Sequence, residues 1–379
     1  MTGTTAQRIL LAAGGTGGHL FPAQALAEVL TARGYSVDLV TDTRGGRYDG
    51  DFPAGDRHVV PSDTIRGRGP VAYLRTAAVL ALGVFRALKL IGRLRPSAVV
   101  GFGGYPTIPP LIAARLRRVP TLIHEQNAVM GRANRLLAGP VDAIAASFPT
   151  LERLNARHAA KVVRTGAPVR AAVTAAATDF KSPGPRAKVR LLVFGGSQGA
   201  RIFSEVVPAA IAGLDETLRK RLAVVQQCRE EDIEGVRKAY ADCGVSAELA
   251  AFFPDLPRRM AQAHLVISRA GASTVAELAI IGRPAILVPL PHALDDDQLR
   301  NATAMVDAGG GWLMPQSGFT PTQLGAALTA RLAEPAQLAE AAIAARELGS
   351  PRAAEALAAA VIALAEGQTV SRNGEEVVV

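Results

Sequence analysis

The 379 residues contain only two cysteines, Cys228 and Cys243. Two thiols make no disulfide framework and fit a reducing compartment. Both read as small apolar packing groups rather than nucleophiles. Aromatic residues are also scarce, at 4%, with Trp312 the one tryptophan. Single-stranded nucleic acid stacks on interleaved rings, which this chain does not supply. A nucleic-acid partner is therefore disfavoured in spite of a net charge of +9. No apolar run reaches the ~20 residues that cross a bilayer. The longest, 76–85, lies between Arg75 and Arg86. The first residues run straight into a strand pattern, without the design of a signal peptide.

Several catalytic signatures are missing too. His124-Glu125-Gln126-Asn127 lacks the second histidine of a zinc-binding H-E-x-x-H helix. No glycine loop has G-x-G-x-x-G spacing, which disfavours a nicotinamide oxidoreductase. The last absence is local. Between Asp63 and Glu125 there is no acidic residue, yet there are ten basic ones.

What is present is a globular chain, 49% hydrophobic and 20% charged, long enough for two domains. Its charge is divided unevenly. Residues 1–170 carry a formal +12 and residues 171–379 a formal −3. The stretch 71–94 alternates Leu74, Val79, Leu82, Phe85, Leu88 and Ile91 with Arg75, Arg86, Lys89 and Arg93. It reads as a helix, either a core helix with a solvated face or one lying in a lipid headgroup region. The missing acids favour the second.

The chain is organised around 9–22, an apolar strand that breaks into Gly14-Gly15-Thr16-Gly17-Gly18-His19. A helix is expected to follow Pro22. A glycine loop at a helix N-terminus brings backbone N–H groups close to an anion, and a diphosphate is the natural guest. Strands are expected at 36–41, near 58–60, and at 97–101, 121–123, 143–146 and 162–163. The stretch 174–188 reads as a linker. The pattern then restarts: 189–194 is a strand and Gly195-Gly196-Ser197-Gln198-Gly199-Ala200 a second glycine loop. Further strands are expected at 223–226, 250–253, 265–268 and 285–288. The stretch 335–365 reads as Ala-rich helix broken near Gly349-Ser350-Pro351. The fold class is therefore α/β, with two Rossmann-like doubly wound domains facing across a cleft. The expected division is 1–168, 169–345, a C-terminal helix at about 346–366 that packs back on the first domain, and a loose tail, 367–379.

The second half carries a further loop of small residues, 268–278, in which Glu277 could accept hydrogen bonds from ribose hydroxyls. Asp295, Asp296 and Asp297 could recruit a divalent cation through a diphosphate, or cap a helix.

Seven segments, in order along the chain, resemble the MurG family of bacterial glycosyltransferases. They are GGTGGH (14–19), GFGGYPT (101–107), HEQNAVMG (124–131), TGAPVR (165–170), GGSQGA (195–200), SRAGASTVAEL (268–278) and DDDQ-x-x-NA (295–302). The family moves N-acetylglucosamine from UDP-N-acetylglucosamine to undecaprenyl-diphospho-N-acetylmuramoyl-pentapeptide. Its fold is GT-B. The resemblance implies that Ser197 holds phosphate, Arg170 the nucleotide, the Phe253 backbone the uracil, Glu277 the ribose and Gln298 the sugar or ribose. It places Thr16, Gly17 and Gly18 at the diphosphate and Asn127 at N-acetylglucosamine. The sequence departs from the family pattern at Ala167, at Asp297 and at Gln227-Cys228-Arg229.

Inversion at the sugar C1 needs a base for the acceptor 4-hydroxyl and stabilisation of the leaving UDP. His19 is the candidate base, with a loop-holding hydrogen bond as its other reading; His124 and Glu125 are the reserve. Backbone N–H groups and helix dipoles would stabilise UDP. No cofactor is then required, although a divalent cation could assist. A polyprenyl acceptor implies an anionic membrane surface as partner, docked through the basic segment 66–118. The expected location is the cytoplasmic face of the bacterial inner membrane, with other cell-wall synthesis proteins as candidate partners. The alternative is a related UDP-sugar transferase acting on a diacylglycerol or natural-product acceptor.

Overall fold

The computed structural model describes residues 7–42, 52–63, 69–184, 186–196, 199–291 and 294–370. The chain divides into two units, residues 1–171 with 351–379, and residues 172–350. Ser197, Arg66, Arg68 and the tail beyond residue 370 lie outside the described residues.

The first unit is a seven-stranded parallel sheet. Its strands are β1 (Arg8–Ala12), β2 (Ser36–Thr41), β3 (Arg57–Val59), β4 (Ala98–Gly101), β5 (Thr121–Glu125), β6 (Ala143–Ala146) and β7 (Val162–Arg164), in the order β3-β2-β1-β4-β5-β6-β7. Strands 3–6 residues long and apolar throughout, such as Ile9-Leu10-Leu11-Ala12, belong in a sheet covered on both faces. The helices are α1 (Gly17–Ala32), α2 (Pro70–Leu94), α3 (Ile108–Leu116), α4 (Arg132–Leu137) and α5 (Ala171–Ala176), which begins at the boundary between the units. One face packs Ile9, Leu11 and Leu26 against the C-terminal residues Leu357 and Val361. The other packs Leu10, Val99 and Ile123 against Ile91 and Leu111.

The second unit repeats the plan with β8 (Val189–Phe194), β9 (Leu222–Gln227), β10 (Ser246–Ala250), β11 (Leu265–Ser268), β12 (Ala285–Leu287) and β13 (Gly311–Leu313). Their order is β10-β9-β8-β11-β12-β13, again all parallel. Its helices are α6 (Arg201–Ala212), α7 (Glu216–Arg221), α8 (Ile233–Asp242), α9 (Leu256–Gln262), α10 (Ala272–Ile281), α11 (Asp297–Asp307), α12 (Pro321–Ala333) and α13 (Pro335–Leu348). The last helix, α14 (Ala353–Ala365), returns to the first unit and packs on α1. The whole stretch 335–365 is apolar and long enough to cross a membrane. It is nevertheless two helices broken at 349–352, and Ala342, Ala345, Leu357 and Val361 are buried in protein.

Four expectations need correction. The first helix does not wait for Pro22: it begins at Gly17 and carries Pro22 inside. The expected strand 250–253 lies earlier, at Ser246–Ala250. It is an edge strand, half-exposed, and so needs no apolar run. The linker 174–188 opens with the end of α5. The strand β13 was not expected; it is three residues long, and Gly311 lets it approach Ala285 closely. At the start of the expected loose tail, Val370 packs on the first unit's core.

Each sheet order reverses at one point, between β1 and β4 in the first unit and between β8 and β11 in the second. In open α/β sheets ligands bind outside the strand C-termini at such a point. The glycine loops occupy both.

Candidate functional site

In the first unit, the loops after β1 and β4 close around one imidazole. The Thr16 hydroxyl takes the N-cap place of α1, yet it bonds His19 Nδ1 at 2.9 Å instead of a backbone N–H. The His19 ring lies against three glycines. A Cβ on Gly14 or Gly103 would come within 3.2 Å of it, and one on Gly104 within 3.5 Å. Gly103 and Gly104 also hold φ of +86° and +77°, which disfavour a side chain.

The strand β5 ends beside these loops, and its last residues alternate in direction. Gln126 Nε2 donates to Phe102 O at 2.9 Å and to Gly18 O at 3.2 Å. The second bond has a cause in sequence. Pro22 lies four residues after Gly18 and has no N–H, so the helix leaves that carbonyl without its usual donor. Gln126 supplies one. His124 is fully buried, with Ser147 Oγ 3.3 Å and Gly166 O 3.4 Å from Nε2, and burial pushes its pKa down from 6.5 to about 4.

Glu125 is buried as well. Its carboxylate accepts from Asn127 N (3.0 Å), Asn127 Nδ2 (3.2 Å), Gly131 N (2.9 Å) and Asn134 Nδ2 (2.8 Å). Burial pushes its carboxyl pKa up, and these four donors pull it back. His124 and Glu125 present no exposed side chain for an acceptor, so the two reserve bases are frame. Glu125 fixes half-buried Asn127 and the 127–131 loop, Gln126 fixes the glycine loops, and His124 meets Ser147 and the Gly166 carbonyl. Arg170 ends the 165–170 segment with its guanidinium 3.9 Å over the Phe21 ring of α1.

In the second unit, Gly195 enters the loop so closely that a Cβ there would lie 2.4 Å from Ala200 N. Gly196 and Gly199 turn it with φ of +89° and +67°. Across the switch point, α10 begins at Ala272 with no side-chain cap. Ser268 Oγ and Ser273 Oγ are buried there without a partner. Open N–H groups and orphaned hydroxyls at a helix N-terminus suit an anion. Glu277 lies on α10 and is 5% exposed.

Phe253 is buried just after β10, under the Arg259 guanidinium at 4.3 Å. Asp255 and Glu248 hold that arginine. Gln298 Oε1 accepts from Leu290 N at 2.9 Å, which fixes the loop before α11. Asp295 and Asp296 have positive φ, and Asp297 accepts from Gln298 N. These three are turn and cap residues. Among the described residues, the one carboxylate–imidazole group tight enough to share a cation is Asp38, Asp56 and His58. Asp38 on β2 also lies 3.6 Å from Arg8 on β1 and 3.5 Å from His58 on β3, which reads as a polar staple across the three strands.

Sequence reasoning gave no role to Gln126, whose signal was Pro22 four residues after a loop glycine. It marked Gln227 only as a departure from the family pattern, at a strand end. Its neighbour Gln226 points the other way, bonded to Tyr240 and Phe203 in the core.

The chain matches the models of the glycosyltransferase family 28 N-terminal domain over residues 9–146 and C-terminal domain over 190–357. It is 57% identical over 356 residues to the UDP-N-acetylglucosamine–N-acetylmuramyl-(pentapeptide) pyrophosphoryl-undecaprenol N-acetylglucosamine transferase of Rhodopseudomonas palustris, covering 94% of this chain and 97% of that one. It is 54% identical to the protein of the same name from Brucella canis, covering 97% of each. Among solved structures, MurG of Acinetobacter baumannii superposes with a TM-score of 0.76 at 30% identity, covering 94% of this chain and 99% of that one. A UDP-N-acetylglucosamine 2-epimerase shares the fold at 13% identity over 97% of this chain and 100% of its own, with a TM-score of 0.66.

Proposed function

The chain belongs to glycosyltransferase family 28, in its MurG branch, and from that premise we propose how its two sites divide the work. The enzyme has the GT-B fold and transfers N-acetylglucosamine from UDP-N-acetylglucosamine to lipid-linked N-acetylmuramoyl-pentapeptide, a step of peptidoglycan synthesis. The second unit takes the donor. What supports this is the anion cradle: the 195–200 turn on one side of its switch point, and the uncapped α10 with orphaned Ser268 and Ser273 on the other. In this reading Ser197 and the loop amides meet the diphosphate, the Phe253 backbone the uracil, Glu277 the ribose and Gln298 the sugar or ribose, with Arg170 on the nucleotide.

The first unit supplies the base. In the tautomer that donates Nδ1–H to Thr16, the His19 Nε2 lone pair takes the acceptor 4-hydroxyl proton. That hydroxyl oxygen forms the new bond to C1 as the bond to the UDP oxygen breaks. Thr16 acts as orienter of the imidazole, Gly17 and Gly18 as open amides of α1, and Asn127 as a contact to the sugar. Backbone dipoles stabilise the leaving diphosphate. Transfer should therefore survive EDTA within about threefold. A loss above ~100-fold would give the charge stabilisation to a divalent cation.

The acceptor's lipid requires a membrane surface. Leu74, Leu82 and Phe85 are exposed along one stripe of α2, with Lys89 over the Phe85 ring at 4.5 Å and Arg75, Arg86 and Arg93 exposed beside it. Such a face suits peripheral docking on anionic lipid, in this reading at the cytoplasmic side. Charge reversal at Arg86, Lys89 and Arg93 should weaken binding to anionic vesicles by at least about 100-fold, since loss of the three cations alone removes roughly 1 kcal/mol each. Unchanged binding would discard the docking face. Transfer of labelled N-acetylglucosamine to a lipid-linked muramoyl-pentapeptide analogue tests the whole reading. UDP-sugar binding without transfer would favour a different acceptor.

A further inference from the structure

The donor cradle has a floor, and one side chain spans it. Gln227 is the last residue of β9, the strand between β8 and β10, and is 6% exposed. Its Oε1 accepts from Gly195 N at 3.1 Å. Its Nε2 donates to Gly196 O at 2.9 Å and to Ala251 O at 3.1 Å. One amide thus ties the turn after β8 to the loop after β10, two residues before Phe253. The amide orientation is determined by its partners, because the reverse would set Oε1 against two carbonyl oxygens. Arg229 continues the floor, since a Cβ on Gly199 would lie 3.2 Å from Arg229 Cγ.

We propose that Gln227 is a positioning residue of the donor site, setting the distance between the phosphate turn and the base loop. A nucleoside diphosphate has a base and a phosphate tail at a limited range of separations. Two loops held at the matching distance bind both ends without first being ordered, and that preorganisation is gained as affinity. Among the described residues of the turn, Gly195, Gly196 and Gly199 carry no side chains, and Arg259 braces Phe253 from the far side through Asp255 and Glu248. Gln227 touches no substrate and acts through the backbone of its neighbours. The inference rests on the donor reading of the second unit.

The test uses the full-length enzyme with Gln227→Met, which keeps length without hydrogen bonds, and Gln227→Glu. UDP binding is measured by titration calorimetry, with KM for both substrates and kcat. For Gln227→Met, which loses all three bonds, UDP affinity should fall about tenfold and KM for the UDP-sugar should rise about tenfold, the low end of what such bonds are worth together. KM for the lipid acceptor and kcat should stay within about threefold. Gln227→Glu keeps the acceptor for Gly195 N–H but loses both donors when ionised. Its donor KM should fall again between about pH 8 and about pH 6, relative to the wild type, as protonation restores a donor. A residue that only holds the fold would lower kcat through the active fraction and leave both KM values and their pH dependence unchanged. That result overturns the proposal, for either variant. If the wild type itself does not bind UDP, the donor reading fails and takes the proposal with it.

Discussion

The two glycine loops share one order of strand, turn and helix, but they use their glycines for different ends. In the first unit the helix starts at Gly17, directly after the turn, and Gly14, Gly103 and Gly104 leave room for the His19 ring. In the second the turn runs on to Ala200, and Gly196 and Gly199 bend the backbone through positive φ. One loop presents a side chain that can take a proton. The other presents backbone, in the manner of an anion nest. Each is braced by a glutamine from a neighbouring strand end. Gln126 bonds two carbonyls in the first unit, and Gln227 bonds an amide and two carbonyls in the second. The scaffold thus supports acid–base chemistry or charge binding according to what fills the space its glycines open.

The largest effect should come from breaking the side-chain loop. His19→Ala removes the proposed base and should lower kcat by roughly 10³-fold, as general-base deletions do. UDP affinity should stay within about threefold, since the donor amides are untouched. Single-turnover transfer and calorimetry on the same preparation separate the two. Equal losses in both would erase the contrast between the loops.

The converse change strikes the backbone loop. A Cβ on Gly195 would sit 2.4 Å from Ala200 N, inside any real contact, and its neighbours there are backbone that cannot swing away. Gly195→Ala should displace the turn and weaken UDP binding by about 30-fold, equivalent to roughly 2 kcal/mol of overpacking. Retained UDP affinity in the folded variant would mean that the turn is not the phosphate cradle.

How far these roles were legible in the sequence follows from what each signal depends on. Strand, glycine turn and helix are local, so both loops and nearly every strand could be read from short windows. The edge strands β10 and β13 could not, because half-exposed edges need no apolar run. His19 stood out by its place after four glycines, yet its packing against Gly103 and Gly104 is a contact across more than 80 residues. His124 and Glu125 were harder to read. Two titratable residues side by side look like acid–base chemistry, and only the fold shows that both are buried on β5. Pro22 misled in the other direction, since a proline normally opens a helix, and here Gln126 supplies the donor that it lacks.

That frame role has a pH signature, smaller than the losses above in its effect on catalysis. Burial holds His124 near pKa 4, whereas in the unfolded chain it titrates near 6.5. The unfolded state therefore binds a proton that the native state refuses. The stability His124 contributes is complete above about pH 6.5 and is lost as pH falls toward about 4. By about pH 5 the wild type should have lost about 2 kcal/mol through this group. Urea unfolding at about pH 7.5 and about pH 5 should show that loss in the wild type and not in His124→Gln. Parallel slopes would mean that His124 is charged, or exposed, in the native state.

The finest test of the comparison lies within the first unit, between two glycines. Gly103 has φ of +86°, and its Cβ would press on His19 Cδ2 at 3.2 Å; Gly18, in the first turn of α1, has nothing within 4 Å. Gly103→Ala should cost about 1 kcal/mol for the backbone alone and should move the imidazole. A kcat loss of about tenfold with unchanged UDP affinity is expected, since small misplacements of a base are costly. Gly18→Ala should change kcat by less than about twofold and favour α1 slightly, because alanine is the better helix former. If Gly18→Ala proved the more damaging, the first loop would work through its open amides. The two loops would then be two anion sites, and the imidazole only a support for one of them.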